Sequence, residues 1–90
     1  MAVVHFTSHL QAHLSCRPVE VAGNTTVRAA LEVALAENPA LRSYILDDQN
    51  HLRRHIMVFV NGKMLEDRGG MSDPVDDDTE IYVMQALSGG

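Results

Sequence analysis

Cysteine occurs only once in this chain of 90 residues, at Cys16. A single thiol excludes an internal disulfide framework and any zinc or iron–sulfur site built from several cysteines, and it suits a reducing compartment. No apolar run approaches the roughly 20 residues that span a bilayer. The N-terminus lacks the basic stretch followed by an apolar run that marks a secretory signal. Basic side chains are also scarce: seven Lys and Arg against twelve Asp and Glu give a formal charge of −5, which opposes binding to nucleic-acid phosphates and anionic membranes. These absences predict a cytoplasmic protein with protein partners that present basic surfaces, and with neither nucleic acid nor membrane among them.

What is present suffices for one domain. Ninety residues with 46% hydrophobic content support one compact core, above the size at which disulfides or metals are usually needed. Val3-Val4-His5-Phe6 and Pro18-Val19-Glu20-Val21 are β-prone runs with polar residues between them, and read as a first hairpin. Gly23-Asn24-Thr25-Thr26 supplies turn chemistry and an N-cap. Val27, Ala30, Leu31, Ala34 and Leu35 then recur at helical spacing, with Arg28 and Glu32 as an i,i+4 pair on the polar side. Asn38-Pro39 ends the helix, because proline disfavours helical geometry in the residue before it.

Leu41 to Ile45 reads as a short helical turn and Asp47 to Asn50 as a tight reversal. Ile56-Met57-Val58-Phe59-Val60 is an unbroken apolar strand, and the Asn61-Gly62 that follows suits a two-residue hairpin turn. A return strand at Lys63 to Leu65, an irregular segment with Gly69-Gly70 and Asp73-Pro74, an acidic turn at Asp76-Asp77-Asp78 and a last strand Ile81-Tyr82-Val83-Met84 complete the order. A hairpin, one long helix and further strands make an α+β pattern, with a mixed sheet of four to five strands packed on one main helix. The β-grasp architecture fits it best, as a domain over residues 1–86 with a flexible diglycine tail over 87–90.

Alternation sets Ile56, Val58 and Val60 on one face of their strand and Met57 and Phe59 on the other. With one helix to cover the sheet, the Met57 and Phe59 face is a candidate docking patch, extended by Met84 or Tyr82 according to register; the alternative is that loops close over it.

Other groups carry weaker signals. His5, His9 and His13 recur every four residues, but Thr7-Ser8 interrupts any helix there and no acidic residue lies between them, so they read as solvated or loop histidines. His51 and His55 flank Arg53 and Arg54, which repel a cation; the arginines read as a solvated turn before a contact for an acidic partner. Cys16 has only Arg17 beside it to lower its pKa and reads as a small apolar filler. Asp73, Asp76, Asp77, Asp78 and Glu80 lack the spacing and turn glycine of a calcium loop. No metal site and no Ser/His/Asp constellation is assigned. Gly69-Gly70 follows no phosphate-loop spacing, so ATP has no cradle here.

The chain closes on Leu87-Ser88-Gly89-Gly90. Two glycines in succession can lie extended in a slot too narrow for a side chain, at a cost in ordering entropy. Six residues from Gln85 extend about 20 Å at most, far enough to enter a partner's active site.

Thr26-Val27-Arg28-Ala29-Ala30-Leu31, Leu52-Arg53-Arg54-His55 leading into Val58-Phe59-Val60-Asn61-Gly62, and the terminal Ala86-Leu87-Ser88-Gly89-Gly90 together resemble the ubiquitin-like sulfur carriers. That family includes the small subunit of molybdopterin synthase and the carriers of thiamine and cysteine biosynthesis. The likeness covers nearly the whole chain. It departs at Asp77-Asp78, where family members often carry Gly-Asp, and the length with the Leu46 to Arg54 region is more like the molybdopterin-type or cysteine-type carriers. The resemblance implies a carrier that is not itself an enzyme, and a possible synthase small subunit. An E1-like adenylating partner uses ATP and Mg²⁺ to activate the carboxylate of Gly90, a persulfide enzyme supplies sulfur, and an acceptor synthase takes it from the resulting thiocarboxylate. Gly89 and Gly90 would thread the partner's channel, Ser88 and Leu87 would set register, and Phe59, Met57 and Met84 would dock. A ubiquitin-like modifier joined through Gly90 and a non-covalent β-grasp binding module are the alternatives.

Overall fold

The computed structural model describes residues 1–6 and 18–85. Strands β1 (Ala2–Phe6) and β2 (Val19–Val21) pair antiparallel as the expected first hairpin, with Val4 opposite Val19. After the short β3 (Thr25–Thr26) comes helix α1 (Val27–Glu37), capped by Thr26, whose hydroxyl oxygen accepts the Ala29 N–H at 3.3 Å. The next orphan donors of that helix end are also satisfied, because Val27 N–H and Arg28 N–H donate to the carbonyls of Asp73 and Met71 at 3.0 and 2.9 Å. Asn38 ends α1, with its amide nitrogen Nδ2 donating to the Ala34 carbonyl.

Pro39 does more than end one helix. Its missing N–H and fixed φ suit a first helical position, and it opens a second helix, α2 (Pro39–Ile45), that buries Leu41 and Ile45. The expected turn at Leu41 to Ile45 is therefore a seven-residue helix. The reversal that follows is as expected: Asn50 N–H donates to the Asp47 carbonyl at 3.0 Å, and Leu46 and Leu52 form a bridge across it.

Strand β4 (Ile56–Val60) turns through Asn61 and Gly62, at φ of 51° and 84°, into β5 (Lys63–Met64), one residue shorter than anticipated. A small β6 (Pro74–Val75) pairs with β3 in a separate two-stranded sheet. Neither of these two-residue strands is long enough to show a period in sequence. The last strand, β7 (Glu80–Gln85), outruns its expected bounds by one residue at each end.

The main sheet runs β2-β1-β7-β4-β5, with β1 parallel to β7 and the remaining neighbours antiparallel. Ala2, Val4 and Phe6 of β1, Ile56 and Val58 of β4, and Ile81 and Val83 of β7 point to one face and pack with Val27, Ala30, Leu31, Ala34 and Leu35 of α1 and Leu41 and Ile45 of α2 in a single core. Helices α1 and α2 thus lie on the same side of the sheet.

The i,i+4 pair expected on α1 is corrected. Glu32 is bonded instead by the guanidinium of Arg42 on α2, through Nη1 and Nη2. Arg28 points the other way and donates to the carbonyls of Gly69, Gly70 and Asn50. A nearby carboxylate is outcompeted because tertiary partners offer each guanidinium a better fork of acceptors.

The acidic turn is held by a buried residue. Thr79, 2% exposed, accepts the Asp76 N–H at its hydroxyl and donates that hydroxyl to Asp76 Oδ1, both at 2.9 Å. Gly23 packs against the same turn so closely that a Cβ there would stand 2.6 Å from Asp77 N and 2.8 Å from Asp76 C.

Candidate docking face and tail exit

The central strand β7 fixes the geometry of the site. Its register with β4 sets Met84 opposite Met57 and Tyr82 opposite Phe59, while its register with β1 sets Tyr82 beside His5. Residues directly opposite in a ladder share a face, so Met57, Phe59, Tyr82, Met84 and His5 lie together on the side away from the helices. Met64 joins them, opposite Phe59 on β5. The choice between Met84 and Tyr82 as the extension of the patch thus resolves to both.

Met64 and Tyr82 are 54% and 38% exposed, and Met57, Phe59 and Met84 are half-buried. The His5 ring stacks on Tyr82 with centroids 4.4 Å apart and planes 8° from parallel, and His5 Nε2 lies 3.0 Å from Glu80 Oε1. The outer face is therefore an apolar band of thioethers and rings, bordered at the β1 side by the carboxylates of Glu80 and Glu20, which stand opposite Val3 from either neighbour.

Sequence reasoning missed Met64 and His5 as members of this face. Met64 was within reach, because a two-residue Asn-Gly turn pairs Val60 with Lys63 and hence Phe59 with Met64. His5 was not, since its place depends on a parallel pairing between chain segments 75 residues apart.

The chain leaves the sheet from its middle. Gln85 stands opposite Ile56 at the start of β4, and β1 ends at Phe6 opposite Val83. Arg53, Arg54 and His55 come immediately before Ile56, at this same end of the sheet. Arg68 donates to the carbonyls of Ile56 and Arg53 at 2.7 and 2.9 Å, and Arg53 Nε to the Ser43 carbonyl at 2.7 Å, so two of the arginines bind backbone. Arg54 and His55 are exposed beside them. The exit is a cationic end on an otherwise acidic protein.

Two carboxylates elsewhere are held ionised by local donors. Asp67 lies below the usual carboxylate range because the Ser72 hydroxyl and then the N–H groups of Gly70 and Ser72 bond it. Asp47 is lowered by the N–H groups of His51 and Gln49. Both order loops. Among the described residues no three His, Cys, Asp or Glu side chains converge as metal ligands, and no helix is long and apolar enough to cross a membrane. His9, His13 and Cys16, with Leu87, Ser88, Gly89 and Gly90 of the tail, lie outside the described residues.

No protein of curated function matches the chain in sequence. Solved structures do match in fold. SAMP1 of Haloferax volcanii is 26% identical over 99% of this chain and 98% of its own, with a TM-score of 0.81. The small archaeal modifier protein 1 of Methanosarcina acetivorans is 22% identical over 99% and 95%, with a TM-score of 0.78. A BexX/CysO complex from Amycolatopsis orientalis matches at 23% identity over the full length of both chains, with a TM-score of 0.79. These relatives place the mixed five-stranded sheet and its helices among the ubiquitin-like β-grasp folds, and residues 9–90 match the ThiS family. The chain therefore belongs to the ThiS family of ubiquitin-like sulfur carriers.

Proposed function

We propose that this chain carries sulfur as a thiocarboxylate on Gly90, formed by a partner enzyme and donated to an acceptor synthase in molybdopterin-type or cysteine-type biosynthesis. The observation that carries this reading is the family match, which runs through Gly89 and Gly90 to the last residue. The fold supports it, because the segment that holds the diglycine continues directly from the central strand β7.

A carboxylate with a pKa near 3.5 is ionised at neutral pH and resists nucleophilic attack. In the activation step an oxygen of Gly90 attacks the α-phosphorus of a Mg²⁺-bound ATP on the partner, and pyrophosphate leaves. Sulfide then attacks the acyl carbon, displaces AMP and leaves the thiocarboxylate directly. A persulfide attacking in the same way leaves an acyl disulfide, whose S–S bond a thiol reductant cleaves to the thiocarboxylate, taking the other sulfur into a disulfide. The carrier supplies the acyl group and its presentation; the partner supplies nucleotide binding and the chemistry.

The occupant proposed for the outer face is that adenylating enzyme. Met57, Phe59 and Met84 lie on strands β4 and β7, next to the point where the tail departs, so one partner surface can cover them while its channel admits Gly89 and Gly90. Phe59→Asp should weaken activation at low partner concentration while leaving the folded sheet intact.

The deciding experiment is the intact mass of the protein after incubation with its host's adenylating enzyme, ATP, Mg²⁺ and a sulfide or persulfide source, with Gly90 deleted as the control. A gain equal to exchanging one oxygen for sulfur, absent in the control, supports the carrier reading. An unchanged mass with a demonstrably active enzyme overturns it.

The likeness to the small archaeal modifier protein 1 favours one second reading, conjugation of Gly90 to lysines of other proteins. The products separate the two: a sulfur-bearing small molecule against higher-mass conjugates that require Gly90. Lys63 is the one lysine in the chain, so self-conjugated chains would need it or the N-terminal amine.

A further inference from the structure

Three of the five methionines of this chain, Met57, Met64 and Met84, share the outer sheet face. Met57 and Met84 are directly opposite each other, and Met64 stands one strand further out beyond Phe59. A fourth, Met71, is buried at 1% exposure in the core under the loop that meets α1. The distribution matters because a thioether is both apolar and oxidisable. Methionine is favoured at contact surfaces for its adaptable shape, yet conversion to the sulfoxide turns it into a polar, chiral side chain.

We propose that Met57, Met64 and Met84 form a peroxide-oxidisable site on the outer sheet face, and that their conversion to sulfoxides switches off docking of the activating enzyme. The second part rests on the proposed function above. In each step a thioether sulfur attacks one peroxide oxygen, the O–O bond breaks, an S–O bond forms and the other oxygen leaves as water. The sulfur loses two electrons and the peroxide gains them, so hydrogen peroxide is the only co-reactant. Three sulfoxides would put strong dipoles around Phe59 and Tyr82, in the middle of a band whose value to a partner lies in shedding water.

Geometry also sets the order of reaction. Of the three face methionines Met64, at 54% exposure, reacts first; Met57 and Met84, half-buried and opposite each other across the ladder, follow; Met71 reacts last. Met1, 68% exposed and before β1, reacts early and serves as a bystander.

The test uses the full chain carrying Cys16→Ser, to keep thiol oxidation out, beside the same protein with Met57→Leu, Met64→Leu and Met84→Leu. Both are exposed to hydrogen peroxide and followed by peptide mapping, by retention on a hydrophobic-interaction column and by the rate of activation at Gly90. The expected result is oxidation of the three face methionines at least roughly tenfold faster than Met71, earlier elution, and activation reduced by about tenfold at limiting partner concentration. The leucine variant, whatever its own rate of activation before peroxide, should show no change in retention or activation when peroxide is added, with Met1 still oxidised. Equal loss in the two proteins, Met71 oxidising in step with the face, or unchanged activation of the fully oxidised protein would overturn the proposal. If neither protein is activated before peroxide is added, it is the carrier function that fails, and the mapping and retention still decide whether the oxidisable site exists.

Discussion

Arg28 Nε donates to the carbonyl oxygen of Gly70 at 3.1 Å, so the first turn of the main helix is tied to a loop 42 residues further along the chain. Nη2 of the same guanidinium reaches the carbonyls of Gly69 and Asn50, both at 3.3 Å. A cation in the first helical turn opposes the helix dipole, and here the loop carbonyls offset that cost. Arg28→Ala should lower stability by about 1–2 kcal/mol, the worth of charge-assisted bonds at a half-exposed site. Arg28→Lys should lose nearly as much, since an ammonium cannot reproduce the fork. Urea unfolding measures both; a lysine variant as stable as the parent would show that charge alone suffices.

Gly23 has no room for a side chain against the Asp76–Asp77 backbone, where a Cβ would sit at 2.6 and 2.8 Å. Gly23→Ala should therefore destabilise the fold by about 1–3 kcal/mol through overpacking, and the cost should appear as a shift in urea midpoint with an unchanged slope. Turn composition alone marked Gly23 as a loop residue. Its contact with a turn more than 50 residues away is a tertiary fact.

That contrast runs through the whole molecule. Helix α1 was legible from a period, five apolar residues at helical spacing, and strand β4 from an unbroken apolar run of five too short for a helix. The Asn61-Gly62 turn carried its own backbone signature, borne out by two positive φ values. Strands β3 and β6 carry no such signal, because two residues cannot show a period and their pairing is set only when the loop docks on α1. The partners of Arg28 and Glu32 were illegible for the same reason, since neighbours in sequence were available and tertiary partners took them. For the candidate site, sequence identified Met57 and Phe59 as one face, but the parallel placement of β1 beside β7 brought His5 to Tyr82.

Three carboxylates should make the fold acid-sensitive. Glu32, bonded by Arg42, Asp47, bonded by the N–H groups of His51 and Gln49, and Asp67, bonded by the Ser72 hydroxyl, all have folded pKa values below their ordinary ones. A depressed folded pKa stabilises the native state above the unfolded value, near about 4, and that contribution is lost as pH falls through the folded value. The urea midpoint should hold from neutral pH down to about 5 and then decline. Asp67→Asn should start lower and decline less. A midpoint that rose on acidification would contradict the assignment.

Gly89→Val should block activation while leaving the thermal unfolding of the domain unchanged. A β-branched side chain cannot enter a channel shaped for bare backbone, whereas residue 89 comes four positions after Gln85, where the last strand ends, and a glycine brings no side chain to any core. Intact mass after reaction with the adenylating enzyme reads the first effect and calorimetry the second. Normal conversion of the valine variant would remove the steric role given to the diglycine.

The position of β7 has a mechanical meaning. A partner that grips the last residues pulls along the axis of a strand laddered on both sides, to β1 and to β4. Such a load acts in shear on every bond of two ladders together, where an edge strand would be peeled one bond at a time. The tether is thus anchored at the most tear-resistant line of the sheet, so a partner can strain, draw and release the end of the chain repeatedly without unravelling what it is attached to.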